Sequence, residues 1–350
     1  MTRARLLARV RPIAALVALA GCSGGGSTSD TAASASDADT EASTSGEATE
    51  SSTETSTGTD AGTDTDTDSD SGTTGEPPAP LGPYRVMTFN LMCADCKPEG
   101  FEDWEARIPY LGDTMRRHDP DLLGVQELFN AEQVGVIEEQ LEGEYTSVWF
   151  MAPDERSLDY ADAAIFYRTS LFEEVEHGFY WLSPTPDVPY SSGFSTPQLP
   201  RLLVWARLRA LADQREFYFA TTHFDNNSPS QQMSAPLVLE RTVSLADALP
   251  LILTGDFNSR PDSTAYGILT EGVDGQGRRV DDAFVLAGAW ASDTNLEPPP
   301  GYDPSVRIDH LFVAGGPWQA SEWVVDQWGY GPTMHATSDH FAIQATLAIP

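Results

Sequence analysis

Leu253-Thr254-Gly255-Asp256-Phe257-Asn258-Ser259, which follows the apolar run Leu249-Pro250-Leu251-Ile252, is the stretch on which the reading of this chain turns. An apolar strand that ends in a carboxylate and, two positions on, an amide points both side chains the same way. Asp256 can accept a proton from a water or help to hold a cation, and Asn258 carries a donor and an acceptor with which to orient that water. The same residues are ordinary turn formers. Alone, the segment establishes a strand and a tight polar turn; its chemistry depends on what other segments bring to it.

Four further polar clusters close apolar runs: Met87-Thr88-Phe89-Asn90, Gly124-Val125-Gln126-Glu127, Thr221-Thr222-His223 and Arg307-Ile308-Asp309-His310. A fifth, Ser338-Asp339-His340, opens the last run. Residues 85–91, 122–127, 163–168, 202–208, 216–223, 251–256, 308–313 and 341–349 have strand length and composition. Several are apolar almost throughout, which suits a sheet covered on both faces or two sheets packed together. Trp104, Ile108, Leu111 and Met115 recur at helical spacing and predict a surface helix over 103–117. Asn130 with Gln133 resembles a capping box and opens a second helix to about Leu141. Ser228, with Pro229 next and Gln231 three places on, predicts a third start, with apolar positions continuing towards Ala248. Helices alternating with strands make the class α/β.

Composition divides the chain before any folding argument. Arg3, Arg5, Arg9 and Arg11 precede an apolar run, 13–20, too short to span a bilayer, and Leu19-Ala20-Gly21-Cys22 ends it. Residues 1–22 resemble a bacterial lipoprotein signal, which implies Cys22 as the lipid-bearing residue; the alternative is a cleaved secretory peptide. Residues 23–80 carry thirteen acids, no base and no aromatic side chain. They cannot bury enough apolar area to offset ordering and read as a disordered tether, with a span of roughly 40 Å as a flexible coil. Of 53 acids and 20 bases in the chain, those thirteen acids and the four leading arginines lie before residue 81, which leaves 81–350 with 40 acids, 16 bases and a formal charge of −24. Such a surface repels polyanions, whose binding draws its strength from neutralised phosphates. With Cys22 assigned to lipid, Cys93 and Cys96 remain as a C-x-x-C pair in an exported chain, read as a small disulfide bracing the loop after Asn90, with free thiols as the alternative.

In their order, the polar clusters resemble the endonuclease/exonuclease/phosphatase superfamily, the deoxyribonuclease I-like metal-dependent phosphoesterases, over about residues 84 to 349. The resemblance implies a four-layer sandwich of two mixed β-sheets flanked by helices, with a site where strand ends converge at one edge, in a catalytic domain over 81–350. It implies Mg2+ or Mn2+, with Glu127 as the metal-binding glutamate and Asn90 and Asp339 completing or supporting that site. Asp256 and Asn258 match the pair that orients and deprotonates the attacking water. Asp309 and His340 match a carboxylate–imidazole dyad, and His223 matches a second histidine that contacts the phosphate or the departing group. How base and phosphate-stabilising roles divide within this set stays open. His310 stands where many relatives carry an aromatic residue: an extra phosphate or cation contact, or a polar substitution at the site's edge. Asp162 lies near the acid that supports the first histidine, its register unsettled. Arg201 is a candidate substrate contact or a loop-stabilising ion pair.

These readings converge on a divalent-metal-dependent phosphoesterase that attacks phosphate esters with an activated water outside the cytoplasm, at a bacterial cell envelope. The substrate stays open between nucleic acid, a lipid headgroup and a small phosphate ester, and the acidic surface leans towards the last two. A membrane is the expected partner, through lipid on Cys22; no protein partner is expected. The alternative is a catalytically silent surface binding module of the same fold. Three consecutive residues, Ser338-Asp339-His340, do not make a serine triad, and no G-x-S-x-G elbow is present. The Asp-Thr repeats of 64–70 lack the Gly and Glu spacing of an EF-hand loop.

Overall fold

A computed structural model describes residues 80–152, 159–192, 194, 199–273 and 277–350. The expected signal over 1–22, its Cys22 and the expected tether over 23–80, Pro80 excepted, lie outside the described residues. In chain order the elements are β1 (Leu81–Asn90), α1 (Trp104–His118), β2 (Leu122–Gln126), α2 (Ala131–Gln140), β3 (Tyr145–Phe150), β4 (Tyr160–Arg168) and β5 (Phe172–Trp181). Then come β6 (Leu202–Ala210), β7 (Glu216–His223), α3 (Ser228–Arg241), β8 (Leu251–Asp256), α4 (Thr264–Glu271), β9 (Asp281–Asp282) and α5 (Ala283–Ala287). The chain closes with β10 (Ala291–Asp293), β11 (Asp309–Ala314), β12 (Gln319–Asp326) and β13 (Ile343–Ile349).

The strands form a seven-stranded sheet, β10-β12-β13-β1-β2-β4-β3, and a six-stranded sheet, β5-β6-β7-β8-β11-β9. Both are mixed: β1 is parallel to β2 and antiparallel to β13, while β8 is parallel to β7 and antiparallel to β11. Neighbouring residues of one strand face different layers. Ile252 joins Val86, Leu122, Ile165, Phe219 and Leu311 in the core between the sheets. Leu251 and Leu253 turn outward with Phe312 onto Val238 and Leu239 of α3 and Leu269 of α4. On the other side Phe89, Leu123 and Val125 meet Leu111 and Met115 of α1 and Ile137 of α2. Both faces of each central strand are therefore covered, which is why these strands read as continuous apolar runs. Each such side chain, fully buried, contributes about 1.5–3 kcal/mol. The expected four-layer α/β sandwich is the observed fold.

The two sheets approach each other closely at Gly124, where a Cβ would lie 2.2 Å from Thr254 Oγ1 and 2.5 Å from Thr221 Oγ1. Next to it, Gln126 Nε2 donates to Thr221 Oγ1 across the sheets at 3.0 Å. These contacts lie one to three residues before Glu127, His223 and Asp256, so they set the distance between the polar ends of the two sheets.

Several boundaries differ from the sequence reading. β1 begins four residues earlier than expected, and its first part pairs only with β13, so Pro83 removes no hydrogen bond from the β2 ladder. The cap of α3 is Asn227, whose side chain accepts from Ser230 N at 3.1 Å, one place before the expected Ser228. Helix α3 stops at Arg241, and a short 3-10 turn, Val243–Asp247, replaces its expected continuation. Asn130 caps α2 by accepting from Gln133 N, but Gln133 Oε1 reaches back to Phe129 N rather than to the capping residue.

Candidate active site

Strand register gathers the first three side chains. His223 of β7 and Asp309 of β11 both lie opposite Asp256 of β8, on either side of it. Gly255 makes that row possible: its φ is 153°, and a Cβ there would lie 2.3 Å from Thr222 O. In the facing sheet Asn90 ends β1 opposite Gln126, and Glu127 follows directly with φ 70°. A glutamate holds that left-handed conformation only where its surroundings fix it. Here Glu127 N donates to Asp162 O at 3.2 Å. Its carboxylate accepts from Asn90 Nδ2 at 3.1 Å and from Cys93 N at 2.6 Å.

Asp256 Oδ2 is the atom on which the site converges. It accepts from Asn90 Nδ2 at 3.0 Å and faces His223 Nε2 at 3.5 Å and His340 Nε2 at 3.7 Å. Its other oxygen accepts from Asn258 N at 2.8 Å. Asn258 is itself left-handed, φ 48°, and its Nδ2 donates to Phe224 O at 3.0 Å. That bond sets the sense of the amide and so the side on which the acceptor Oδ1 lies.

The two imidazoles are held from behind by different acids. His340 Nδ1 donates to Asp309 Oδ2 at 2.8 Å. Burial opposes charge on this ring, but Asp309 and Asp256, one at each nitrogen, outweigh it and hold its pKa well above the ordinary value. His223 Nδ1 lies 3.0 Å from Asp162 Oδ1 and 2.7 Å from Arg201 Nη1, which also donates to Asp162 Oδ2 at 2.8 Å. A guanidinium only donates, so this ring nitrogen serves Asp162 when protonated and Arg201 when bare. Burial and Arg201 press the pKa of His223 down; Asp162 and Asp256 press it up and prevail. Burial alone would raise the Asp162 carboxyl, but Arg201 and His223 bring it to about 2.

The donor set suits a hard divalent cation. Glu127 and Asp339 offer carboxylate oxygens, the ligands such ions take. Burial, joined by the charge of Glu127, pushes the Asp339 carboxyl above its ordinary pKa against the opposing pull of His340. Asp309 Oδ1 is buried with no hydrogen-bond partner among the described residues. Donor atoms of Asp256, Asp309 and His340 lie within 4.8 Å of one another. Asn90 links the two carboxylates of the facing sheets. Its Oδ1 accepts from Met92 N at 3.0 Å and its Nδ2 donates to both Glu127 and Asp256, so it orients both carboxylates.

Residues 87–340 match the Endonuclease/Exonuclease/phosphatase family. This chain belongs to that family. A solved endonuclease/exonuclease/phosphatase family protein from Bacteroides thetaiotaomicron is 29% identical, with a TM-score of 0.63 over 78% of this chain and 96% of the other. The mannosyl-6-phosphatase Bt3783 of Bacteroides thetaiotaomicron VPI-5482 is 30% identical, with a TM-score of 0.61 over 75% of this chain and 99% of that one. Protein angel of Drosophila melanogaster is 26% identical over 212 residues, which are 56% of this chain and 58% of the relative, so the match spans little more than half of that protein.

Within the family fold, Asn90, Glu127, His223, Asp256, Asn258, Asp309, Asp339 and His340 come to one edge of the sandwich, as the resemblance implied. Cys93 and Cys96 are joined as a disulfide in the loop whose backbone holds Glu127. Arg201 makes an ion pair with Asp162. His310 is corrected: it is fully buried, Nε2 donates to Ser259 O at 2.8 Å, and its ring stacks on Phe312, so it meets neither phosphate nor cation. Asp162 does support His223, which settles the register left open by the sequence. Two supporting residues escaped the sequence reading. Arg107, buried in α1, donates to Leu91 O at 2.7 Å, Met92 O at 2.8 Å and Thr337 O at 2.9 Å, tying together the loops beside Asn90 and Asp339. Its signal was an arginine in step with Trp104, Leu111 and Met115 on the buried face. Gln231 is the other.

Proposed function

We propose that this protein is a divalent-metal-dependent phosphoesterase acting on small phosphate esters outside the cytoplasm. The observation that carries the reading is the single oxygen, Asp256 Oδ2, met by an amide and two imidazoles from separate segments of the chain. A carboxylate so placed accepts a proton from a water beside it, while Asn258 Oδ1 orients that water. His340, kept cationic by Asp309, faces the negative charge that develops on the phosphoryl oxygens. His223, backed by Asp162 and Arg201, stands ready at the phosphate or the departing oxygen. Glu127 and Asp339 would hold Mg2+ or Mn2+, which when bound neutralises charge on the phosphoryl group.

The formal charge of −24 over 81–350 disfavours long polyanions. The likeness to a mannosyl-6-phosphatase supports a small monoester. The basic, apolar and small-residue pattern of 1–22 supports a lipid anchor on Cys22, with 23–80 as a tether at the cell envelope.

The test is a panel of DNA, headgroup phosphodiesters, sugar phosphates and p-nitrophenyl phosphate, each with Mg2+ or Mn2+ and with chelator. Metal-dependent phosphate release from the monoesters, with DNA left intact, is expected. No turnover on any ester would overturn the enzyme in favour of a silent binding module.

A further inference from the structure

We infer that Gln231 is a positioning residue for the phosphoesterase site proposed above, acting through Asn258. Its side chain is buried in the first turn of α3. Both hydrogens of its amide are used: Nε2 donates to Asn258 O at 2.9 Å and to Asp225 O at 3.0 Å. Those carbonyls belong to the two loops that leave β7 and β8, just past His223 and Asp256.

The same loops are joined by Asn258 Nδ2 to Phe224 O at 3.0 Å and by Phe224 N to Asp256 O at 2.8 Å. Asn258 sits at φ 48°, in the left-handed region that asparagine enters more readily than most residues when hydrogen bonds support it. Its N–H is taken by Asp256 Oδ1 and its side-chain amide by Phe224 O, and Gln231 takes its carbonyl. Gln231 thus completes a clamp that fixes the backbone of Asn258 and so the direction of Oδ1. Loss of the amide leaves two carbonyls without a donor and frees the turn to relax. A displacement near 1 Å at a reacting group costs about 100-fold in rate.

The experiment compares wild type, Gln231→Leu, Asn258→Ala and the double variant in the full chain, on p-nitrophenyl phosphate with Mn2+. Gln231→Leu is expected to lower kcat by about 10- to 100-fold with KM changed less than about twofold. In the Asn258→Ala background the same change is expected to lower kcat no further, because the two act as a unit. A purely structural glutamine would give additive losses, and either additivity or an unchanged kcat overturns the inference. Should Gln231→Leu fail to fold, Gln231→Asn withdraws the amide by one methylene and makes the same comparison.

Hydrogen exchange separates this inference from the functional reading. In the Gln231 variant the amides of Asn258 and Phe224 are expected to exchange at least about tenfold faster, with those of β1 unchanged. If the wild type turns over no ester, the phosphoesterase falls, and the exchange still decides the positioning: equal rates at Asn258 and Phe224 overturn it.

Discussion

His310 makes acid stability the sharpest quantitative test of this structure. Its ring is fully buried between Phe257, Tyr266 and Phe312, with one nitrogen bonded to Ser259 O and the other, Nδ1, without a hydrogen-bond partner among the described residues. Burial drives its pKa from 6.5 down to about 4, against the pull of Asp282. The folded ring therefore stays neutral where the unfolded ring takes a proton. Between pH 6.5 and about pH 4 the unfolded chain binds more protons, so stability falls as pH falls through that window. At about 1.4 kcal/mol per pH unit, the gap corresponds to about 3 kcal/mol. The change His310→Gln keeps a donor for Ser259 O and introduces a side chain that cannot titrate. Urea unfolding followed by circular dichroism at several pH values would measure both proteins. At neutral pH the variant is expected to be the less stable, by about 1–2 kcal/mol from lost packing. Towards pH 4 the wild type is expected to lose about 3 kcal/mol more than the variant, so the two curves converge or cross. Parallel curves would show that the ring is not held neutral, and the account of its burial would be wrong.

Other perturbations address the site. Glu127→Gln keeps the shape but halves the charge offered to a cation, so calorimetric titration with Mn2+ is expected to show weakened binding and turnover to fall by about 100-fold or more. Asp309→Asn removes the charge behind His340; the ring's pKa is expected to move down towards its ordinary value by NMR titration, and kcat to fall by about 100-fold or more. Asp162→Asn leaves the buried Arg201 without its counter-charge, and thermal unfolding is expected to report a loss of about 3–5 kcal/mol, with an unchanged midpoint refuting the ion pair.

The core strands were legible because both of their faces are covered: β7 and β8 match their predicted bounds residue for residue. Strands with one wet face were not. Phe172–Trp181 leaves Glu173, Glu174 and Glu176 exposed, and the first half of Gln319–Asp326 is largely exposed, so neither shows an apolar run. For His310 the sequence left two alternatives open, a phosphate or cation contact and a polar substitution at the site's edge, and its full burial fits neither. Successive residues of a strand face opposite sides, which sends Asp309 to the site and His310 into the apolar layer under α4.

From the chain alone came the residue types that do the chemistry and the strand ends on which they stand, because apolar runs and polar turns are local properties of sequence. Which groups touch was decided only by tertiary structure: that Asp162 and Arg201 share His223, that Asn90 spans Glu127 and Asp256, and that Gln231 holds Asn258. Those pairings join residues distant in sequence, and their geometry depends on strand register and on the spacing of two sheets, quantities that no single segment encodes.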